Sequence, residues 1–434
     1  MTSPTAITRS AGAAATSPAK KCAYVTFLLT SPSYLPGILL LAHSLRNPTT
    51  GGPGSAYPLI VAVNPALPRE CINALEQAGL EVRIVQPLVP RGKVTIIAER
   101  FVDTWTKLRV WEFDEFEVSP QRGGSECGQQ GLVGSAPRRM DCVRHVGSRM
   151  GRSKVTVHTM PGRLILIDGD MMIRQSMDEL FHMPLPKDMI ACNHACVCNL
   201  DKSSWAPADW TRENCAYTPT SHPDALLSPV QPSATPNPHT LLNSGLVVLT
   251  PSRVTMNRIT SLLASEKPEE QDLIASWMFP DQDALAHVFQ GKWQALPWCY
   301  NALKTMRYWH GNFWRDDQVR NVHYICDKPW KRRPALKHAH HHQAEGEDDH
   351  SSQQDNAERS PAANPVDQPI NPTSRYKCTP GPFLEIRDEE LGLPAEQADA
   401  VTHGWWWDAY DQMRAGLQER GYGSLRYLDV LVAQ

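Results

Sequence analysis

Ile167-Asp168-Gly169-Asp170 holds the side chains with the clearest chemical use in this chain. The two aspartates are two residues apart, so on an extended segment both face the same side. Paired carboxylates turned into a cleft suit a hard divalent cation, Mg²⁺ or Mn²⁺, which would also bridge a diphosphate. Gly169 lets a ligand approach the backbone closely. The competing reading is a polar turn that closes a strand. Alone the turn would win, but position brings the ligand reading level with it: Asp168 directly follows the apolar run Leu164-Ile-Leu-Ile167, and open α/β sheets bind ligands just beyond the carboxyl ends of their strands.

Three other elements carry weaker signals. In His323-Tyr-Ile-Cys-Asp-Lys328-Pro-Trp330, the imidazole could complete an oxygen-rich Mn²⁺ site. Lys328 could neutralise phosphate there, with Pro329 and Trp330 stiffening the turn; a surface loop with a packed Trp is the alternative. Leu242-Asn243-Ser244-Gly245 offers short polar groups for sugar hydroxyls and a glycine for close packing, and a plain turn explains it equally well. Asp281-Gln282-Asp283 opens a helix behind Pro280. Carboxylates there are stabilised by the helix dipole as caps, and they could also accept hydrogen bonds from a sugar.

The elements that must position these groups follow from the apolar pattern. Residues 23–29, 57–63, 81–85 and 163–167 read as strands, and residues 37–45, 68–78 and 106–117 as helices. Residues 241–250 and 294–297 read as later strands or strand ends, and 281–289 as a helix. Strands and helices alternating at this spacing predict an α/β domain with a mostly parallel sheet covered by helices. Residues 118–160 carry neither period and read as a loop-like insertion. Residues 1–20 read as a disordered N-terminus and 336–375 as a disordered low-complexity linker that includes His338, His340, His341 and His342. Residues 376–434 form a C-terminal segment marked by Trp405-Trp406-Trp407.

Composition narrows the function classes. Forty-three basic against 46 acidic residues leave a net charge of −3, which gives no electrostatic case for nucleic acid. No apolar run approaches the ~20 residues of a membrane helix, and the N-terminus lacks a secretory h-region, so the expectation is a cytoplasmic protein. Eleven cysteines scattered over 434 residues read as reduced thiols rather than a disulfide scaffold. Cys192, His194, Cys196 and Cys198, with Cys215 downstream, have the residue types for zinc. The spacing lacks the usual Cys-x-x-Cys pair and small thiols pack well in cores, so core thiols are the expectation.

Taken in order, these elements resemble the retaining glycosyltransferase family of glycogenin and galactinol synthase, with the galactinol synthases the nearest members. The likeness runs through Ala23-Tyr-Val-Thr-Phe-Leu28, residues 55–63, Lys107-Leu-Arg-Val-Trp-Glu-Phe113, Asp168-Gly-Asp170 and Met177-Asp-Glu-Leu-Phe181. It continues in Asn243-Ser-Gly245, Asp281-Gln-Asp283, Tyr300-Asn301, His323-Tyr324, Lys328-Pro-Trp330 and Trp406-Trp407. The resemblance implies a GT-A type fold: a Rossmann-like, mostly parallel sheet with helices on both faces, spanning residues 21–335. It implies a UDP-sugar donor, Mn²⁺ as cofactor with Mg²⁺ as the alternative ion, and a small polyol or glycan acceptor.

Carried over residue by residue, the resemblance gives Asp168, Asp170 and His323 the metal, Asp168 also the ribose, and Lys328 the diphosphate. Tyr34 would lie against the uracil and Lys107 would contact the donor. Asn243 and Gly245 would line the sugar pocket, with Asp281 and Gln282 beside the anomeric carbon. The specific expectation is galactose transfer from UDP-galactose to myo-inositol. The rivals are a glycogenin-like glucosyltransferase acting on a glycan and a non-catalytic UDP-sugar-binding protein. Tyr300 and Tyr308 invite comparison with a self-glucosylating primer, but the aromatic run around Tyr308 reads as packing. Three departures stand out: the 118–160 insertion, the short His323–Lys328 spacing, and a loop before Tyr34 without the usual Gly and Asn.

Overall fold

A computed structural model describes residues 22–95, 101–116, 162–221, 241–334 and 399–432. The expected disordered N-terminus (1–20), the insertion (118–160), the linker (336–375) and its histidines lie outside the described residues.

Among the described residues, ten strands form two sheets. β1 (Cys22–Leu28), β2 (Leu59–Val63), β3 (Glu81–Ile84), β4 (Arg163–Ile167), β6 (Ile190–His194), β7 (Leu242–Leu249) and β8 (Trp293–Ala295) make a seven-stranded sheet in the order β3-β2-β1-β4-β7-β6-β8. β7 runs antiparallel to both its neighbours, while the other adjacent pairs are parallel. A second sheet of three strands has the order β5-β10-β9, from β5 (Met171–Ile173), β9 (Ala302–Leu303) and β10 (Asn321–His323). The mostly parallel α/β sheet expected from the sequence is therefore present.

The central strands β1, β2, β4 and β7 are buried on both faces, which is why they read as apolar runs, while the edge strand β3 is partly exposed. Tyr24, Val61, Val63, Ile165 and Ile167 point into one core, and Val25, Ile60, Ala62, Leu164 and Leu166 into the other. The first core is covered by α1 (Leu35–Arg46) and α2 (Arg69–Gln77). α1 is apolar around most of its circumference, as a helix enclosed by protein must be. The second core is covered by α3 (Arg253–Leu263), α4 (Pro268–Ser276) and α5 (Pro280–Val288).

Two sequence expectations change. The predicted helix over 106–117 is 3₁₀ structure, Thr104–Glu112 followed by Asp114–Phe116. Trp105, Leu108 and Trp111 recur every third residue and are fully buried, which is the period of a 3₁₀ helix and not of an α-helix. The expected domain end at 335 also leaves out part of the fold. The short helix α6 (Met306–Trp309) precedes α7 (Ala400–Glu419) and α8 (Leu425–Leu431), and the last two join the first core. Trp407 Nε1 donates to Pro329 O at 3.0 Å, the Trp406 ring lies 5.7 Å from Trp330, and Tyr422 Oη donates to Ala74 O at 2.8 Å. Burying one such ring removes roughly 150–250 Å² from water, or roughly 4–6 kcal/mol before entropy. Among the described residues, no helix is long and apolar enough to cross a membrane.

The cysteine-rich run divides. Cys192 is a core thiol, as expected. Cys196, Cys198 and Cys215 instead converge on His310, which the sequence had not linked to them.

Candidate active site

Asp168-Gly169-Asp170 is the link by which the chain leaves β4 in the large sheet and enters β5 in the small one. Backbone pairing fixes both ends. Asp168 N donates to Gly245 O at 2.9 Å, extending the β4–β7 register beyond Ile167↔Leu246. On the other side Tyr324 N donates to Asp170 O at 2.9 Å, beyond the His323↔Met171 pair of β10 and β5. The two sheets thus bring Gly245, Asp168, Asp170 and His323 to one place. Gly37 of α1 faces this link so closely that a Cβ there would lie 2.4 Å from Gly169 O, so the helix packs directly under the acidic loop.

Each carboxylate gives one oxygen to a lysine and turns the other toward His323. Lys107 Nζ bonds Asp168 Oδ1 at 2.7 Å, and Asp168 Oδ2 lies 3.8 Å from His323 Nε2. Lys328 Nζ bonds Asp170 Oδ2, and Asp170 Oδ1 lies 3.4 Å from His323 Nε2. Lys328 Nζ also donates to Tyr324 O at 2.7 Å. The 3₁₀ segment that replaces the expected helix is what aims Lys107 here, and Lys107 also reaches Asp281 Oδ2 at 3.4 Å.

The charges explain the titration of these groups. Burial pushes Asp170 up, but Lys328 and His323 outweigh it and hold the carboxyl below its ordinary value. Burial raises Asp168, Lys107 opposes the rise, and the Asp170 charge adds to it, so its carboxyl stays above the ordinary value. Burial opposes the charge on Lys107, yet Asp168 and Asp281 raise its pKa.

A chain of hydrogen bonds fixes the histidine tautomer. Gly245 N–H donates to Asn243 Oδ1 at 3.0 Å, so that oxygen is an acceptor. Asn301 must then present its amide nitrogen to Asn243 Oδ1, at 2.7 Å. This turns Asn301 Oδ1 to His323 Nδ1, at 2.8 Å, and Nδ1 carries the proton. Nε2 is the ring nitrogen that faces the two carboxylates. A hydrogen bond of this kind is what orients a metal-binding imidazole. Gly245 is required sterically as well, because a Cβ would meet His323 Cε1 at 2.5 Å.

The remaining sequence candidates join the same cluster. Ser244 Oγ donates to Asp281 Oδ2 at 2.9 Å and Ser244 N to Gln282 Oε1 at 3.4 Å, which ties the start of α5 to β7. Tyr34 ends the 3₁₀ turn Pro32–Tyr34 after β1, with Lys328 Nζ 5.5 Å from its ring centre and Trp330 at 5.7 Å. Tyr34, Lys107, Asp168, Asp170, Asn243, Gly245, Asp281, Gln282, His323 and Lys328 therefore all belong to one connected cluster. Sequence reasoning offered Ser244 only as a polar group for sugar hydroxyls and gave no role to Asn301. Their only signal was membership of the Asn-Ser-Gly and Tyr-Asn motifs. Tyr308 is buried in the core beside Trp309, and Tyr300 Oη bonds Glu179 Oε1 at 2.8 Å.

The ligand atoms of Asp168, Asp170 and His323 lie within 4.8 Å of one another. Ligands bound at about 2.1 Å in an octahedron sit about 3 Å apart, so this set fits a divalent cation with little movement. Two carboxylates and one imidazole suit Mn²⁺ or Mg²⁺ by donor type.

Residues 160–333 match the family model described as Glycosyl transferase family 8. The chain carries a family 8 glycosyltransferase domain. Galactinol synthase 6 of Arabidopsis thaliana is 25% identical over 318 residues, covering 72% of this chain and 74% of its own. Galactinol synthase 1 of Solanum lycopersicum is 25% identical over 314 residues (71% and 74%), and Galactinol synthase 5 of Arabidopsis thaliana 26% over 319 (73% and 76%). Among solved structures, the galactosyltransferase LgtC, determined with donor and acceptor sugar analogs, aligns at 12% identity with a TM-score of 0.40, covering 71% of this chain and 89% of that one. The transferase domain contains every residue of the cleft from Asp168 onward, while Tyr34 and Lys107 enter it from the preceding strands and 3₁₀ turns.

Proposed function

We propose that this glycosyltransferase is a retaining hexosyltransferase that moves galactose from UDP-galactose to myo-inositol and requires Mn²⁺. One observation carries the reading: two carboxylate oxygens and an imidazole nitrogen converge while lysines hold the other carboxylate oxygens. The donor and acceptor are those the resemblance implied, and relatives named galactinol synthase support them. Among the described residues no cysteine is in a disulfide, which fits a reducing compartment such as the cytoplasm.

Asp168, Asp170 and His323 would hold the cation, whose charge would stabilise the departing diphosphate. Lys328 and Lys107 flank the same carboxylates and would pair with donor phosphate oxygens. Tyr34, at the mouth of the cleft beside Lys328, would cover the uracil. Asn243 keeps its oxygen for Asn301 and Gly245, so its role is to position His323 at the edge of the sugar pocket. Asp281 Oδ2 is anchored by Ser244 and Lys107, which fixes the carboxylate where an oxocarbenium-like anomeric carbon would develop. Retention follows if the acceptor hydroxyl attacks from the leaving-group face or if a carboxylate first captures the sugar.

UDP release should be measured with Mn²⁺ and UDP-galactose or UDP-glucose against a panel of polyols and glycans. Stimulation by myo-inositol, with an α-linked product by NMR, is the expected result. Stimulation by a glycan alone would replace this acceptor with the glycogenin-like one. UDP-sugar binding without any release would make the protein a binder.

A further inference from the structure

A second cluster of metal-ligating side chains lies apart from the acidic cleft. Cys196 and Cys198 follow β6, Cys215 belongs to the irregular segment beyond it, and His310 ends α6. All four are buried, at 8%, 3%, 0% and 1% exposure. His310 Nε2 lies 3.3 Å from Cys196 Sγ, 3.2 Å from Cys198 Sγ and 3.6 Å from Cys215 Sγ. Cys196 Sγ and Cys215 Sγ are 3.8 Å apart.

These four separations match four of the six edges of a coordination tetrahedron, and all four ligand atoms lie within 4.8 Å of one another. Zinc bound to sulfur at about 2.3 Å and nitrogen at about 2.05 Å gives S···S edges of about 3.8 Å and S···N edges of about 3.5 Å. The sulfur separation is far beyond the ~2.05 Å of a disulfide. Simple core packing would not turn one imidazole nitrogen toward three sulfurs. We propose that Cys196, Cys198, Cys215 and His310 bind a structural Zn²⁺ ion. Four protein ligands with none left open make a closed site, the structural and not the catalytic kind. Each thiol gives its proton to solvent as the ion enters. Three thiolates and Zn²⁺ leave one net negative charge, and Arg212 is near enough to act electrostatically on Cys198.

The site has work to do where it sits. Residues 195–221 contain no helix or strand, and Asn199 and Lys202 take positive φ angles. Such a segment gains little from a backbone ladder. The ion would join its two ends to His310, whose ring stacks on Phe313 at 5.3 Å; Phe313 in turn meets Trp298 at 5.4 Å. Cys192 and His194, which the sequence grouped with these ligands, are outside the site. Cys192 packs in the core across the sheet, and the His194 ring rests 4.8 Å from Trp293.

The test is metal analysis of the full-length protein after dialysis against EDTA, followed by Co²⁺ exchange under reducing conditions. About one zinc per chain should remain, and Co²⁺ should give an intense thiolate charge-transfer band with tetrahedral d–d absorption. Cys198→Ser and His310→Ala should lose the retained zinc and melt at lower temperature, while Cys326→Ser keeps it. Because the cluster variants could fail to fold, the wild-type Co²⁺ spectrum decides independently. A protein with no retained zinc and no charge-transfer band, or with zinc bound only through imidazoles, would overturn the proposal. So would a Cys196–Cys215 disulfide in protein purified without reductant, or undiminished zinc in a folded Cys198→Ser variant.

Discussion

Asn301 Oδ1 accepts the Nδ1 proton of His323 at 2.8 Å, and this leaves Nε2 as the nitrogen that faces Asp168 and Asp170. Asn301 is held in turn by Asn243 and the Gly245 amide. Removing the bridge should free the imidazole to rotate or change tautomer without touching a ligand. Asn301→Ala is expected to weaken Mn²⁺ affinity roughly 10–100-fold, read as the Mn²⁺ concentration giving half-maximal UDP release. Saturating Mn²⁺ should recover most of the turnover. An unchanged Mn²⁺ requirement would show that Asn301 has no part in orienting His323.

Asp170→Asn addresses the cation directly. Asp170 is only 6% exposed and paired with Lys328, so it is more deeply set than a strand-end position suggests. The amide oxygen can still accept from Lys328, so the variant should fold with a lower Tm. Loss of one anionic ligand should cost about 3 kcal/mol or more of transition-state stabilisation, roughly a hundredfold in turnover. His323→Ala should be milder, because both carboxylates remain. Turnover and Mn²⁺-dependent melting measured side by side check both expectations, and near-normal values for Asp170→Asn would reduce the loop to a turn.

Lys304 and Asp399 form a buried ion pair, 1% and 6% exposed, between β9 and the start of α7. Burial raises the Asp399 pKa while Lys304 opposes it. Breaking the pair by Asp399→Ala leaves an uncompensated buried ammonium and should cost about 3–5 kcal/mol. Lys304→Met with Asp399→Leu should be less damaging than either single change. Urea unfolding of the four proteins would give the coupling energy, and additive losses would mean that the pair does not anchor the C-terminal helices.

His403 links that anchor to pH. Lys304 Nζ donates to His403 Nε2 at 3.2 Å, and burial, together with the Lys304 and Lys328 charges, lowers its pKa from 6.5 to about 3. The unfolded chain takes up a proton near pH 6.5 and the folded one does not. Stability is therefore fully present above the unfolded value and lost as pH falls from 6.5 toward 3, with a slope of at most about 1.4 kcal/mol per pH unit. His403→Gln should flatten the Tm–pH curve in that window. A curve identical to wild type would place the acid sensitivity elsewhere.

The buried strands, the Asp-Gly-Asp loop and the order of the motifs were determined by sequence alone. Runs such as Leu164-Ile-Leu-Ile167 can satisfy their backbone and bury both side-chain faces only inside a covered sheet, and a polar pair at such a strand end must meet a cleft. What the local pattern could not determine was set by contacts between distant segments. The second sheet places His323 beside Asp170 and Asn301 beside His323 through pairings of two or three residues, too short to leave a period. The 104–112 segment follows a period of three because Trp105 and Trp111 are fixed by the core they fill. Cys196, Cys198, Cys215 and His310 are spread over more than a hundred residues. No spacing rule relates them, because only the folded chain brings the last imidazole to the three sulfurs.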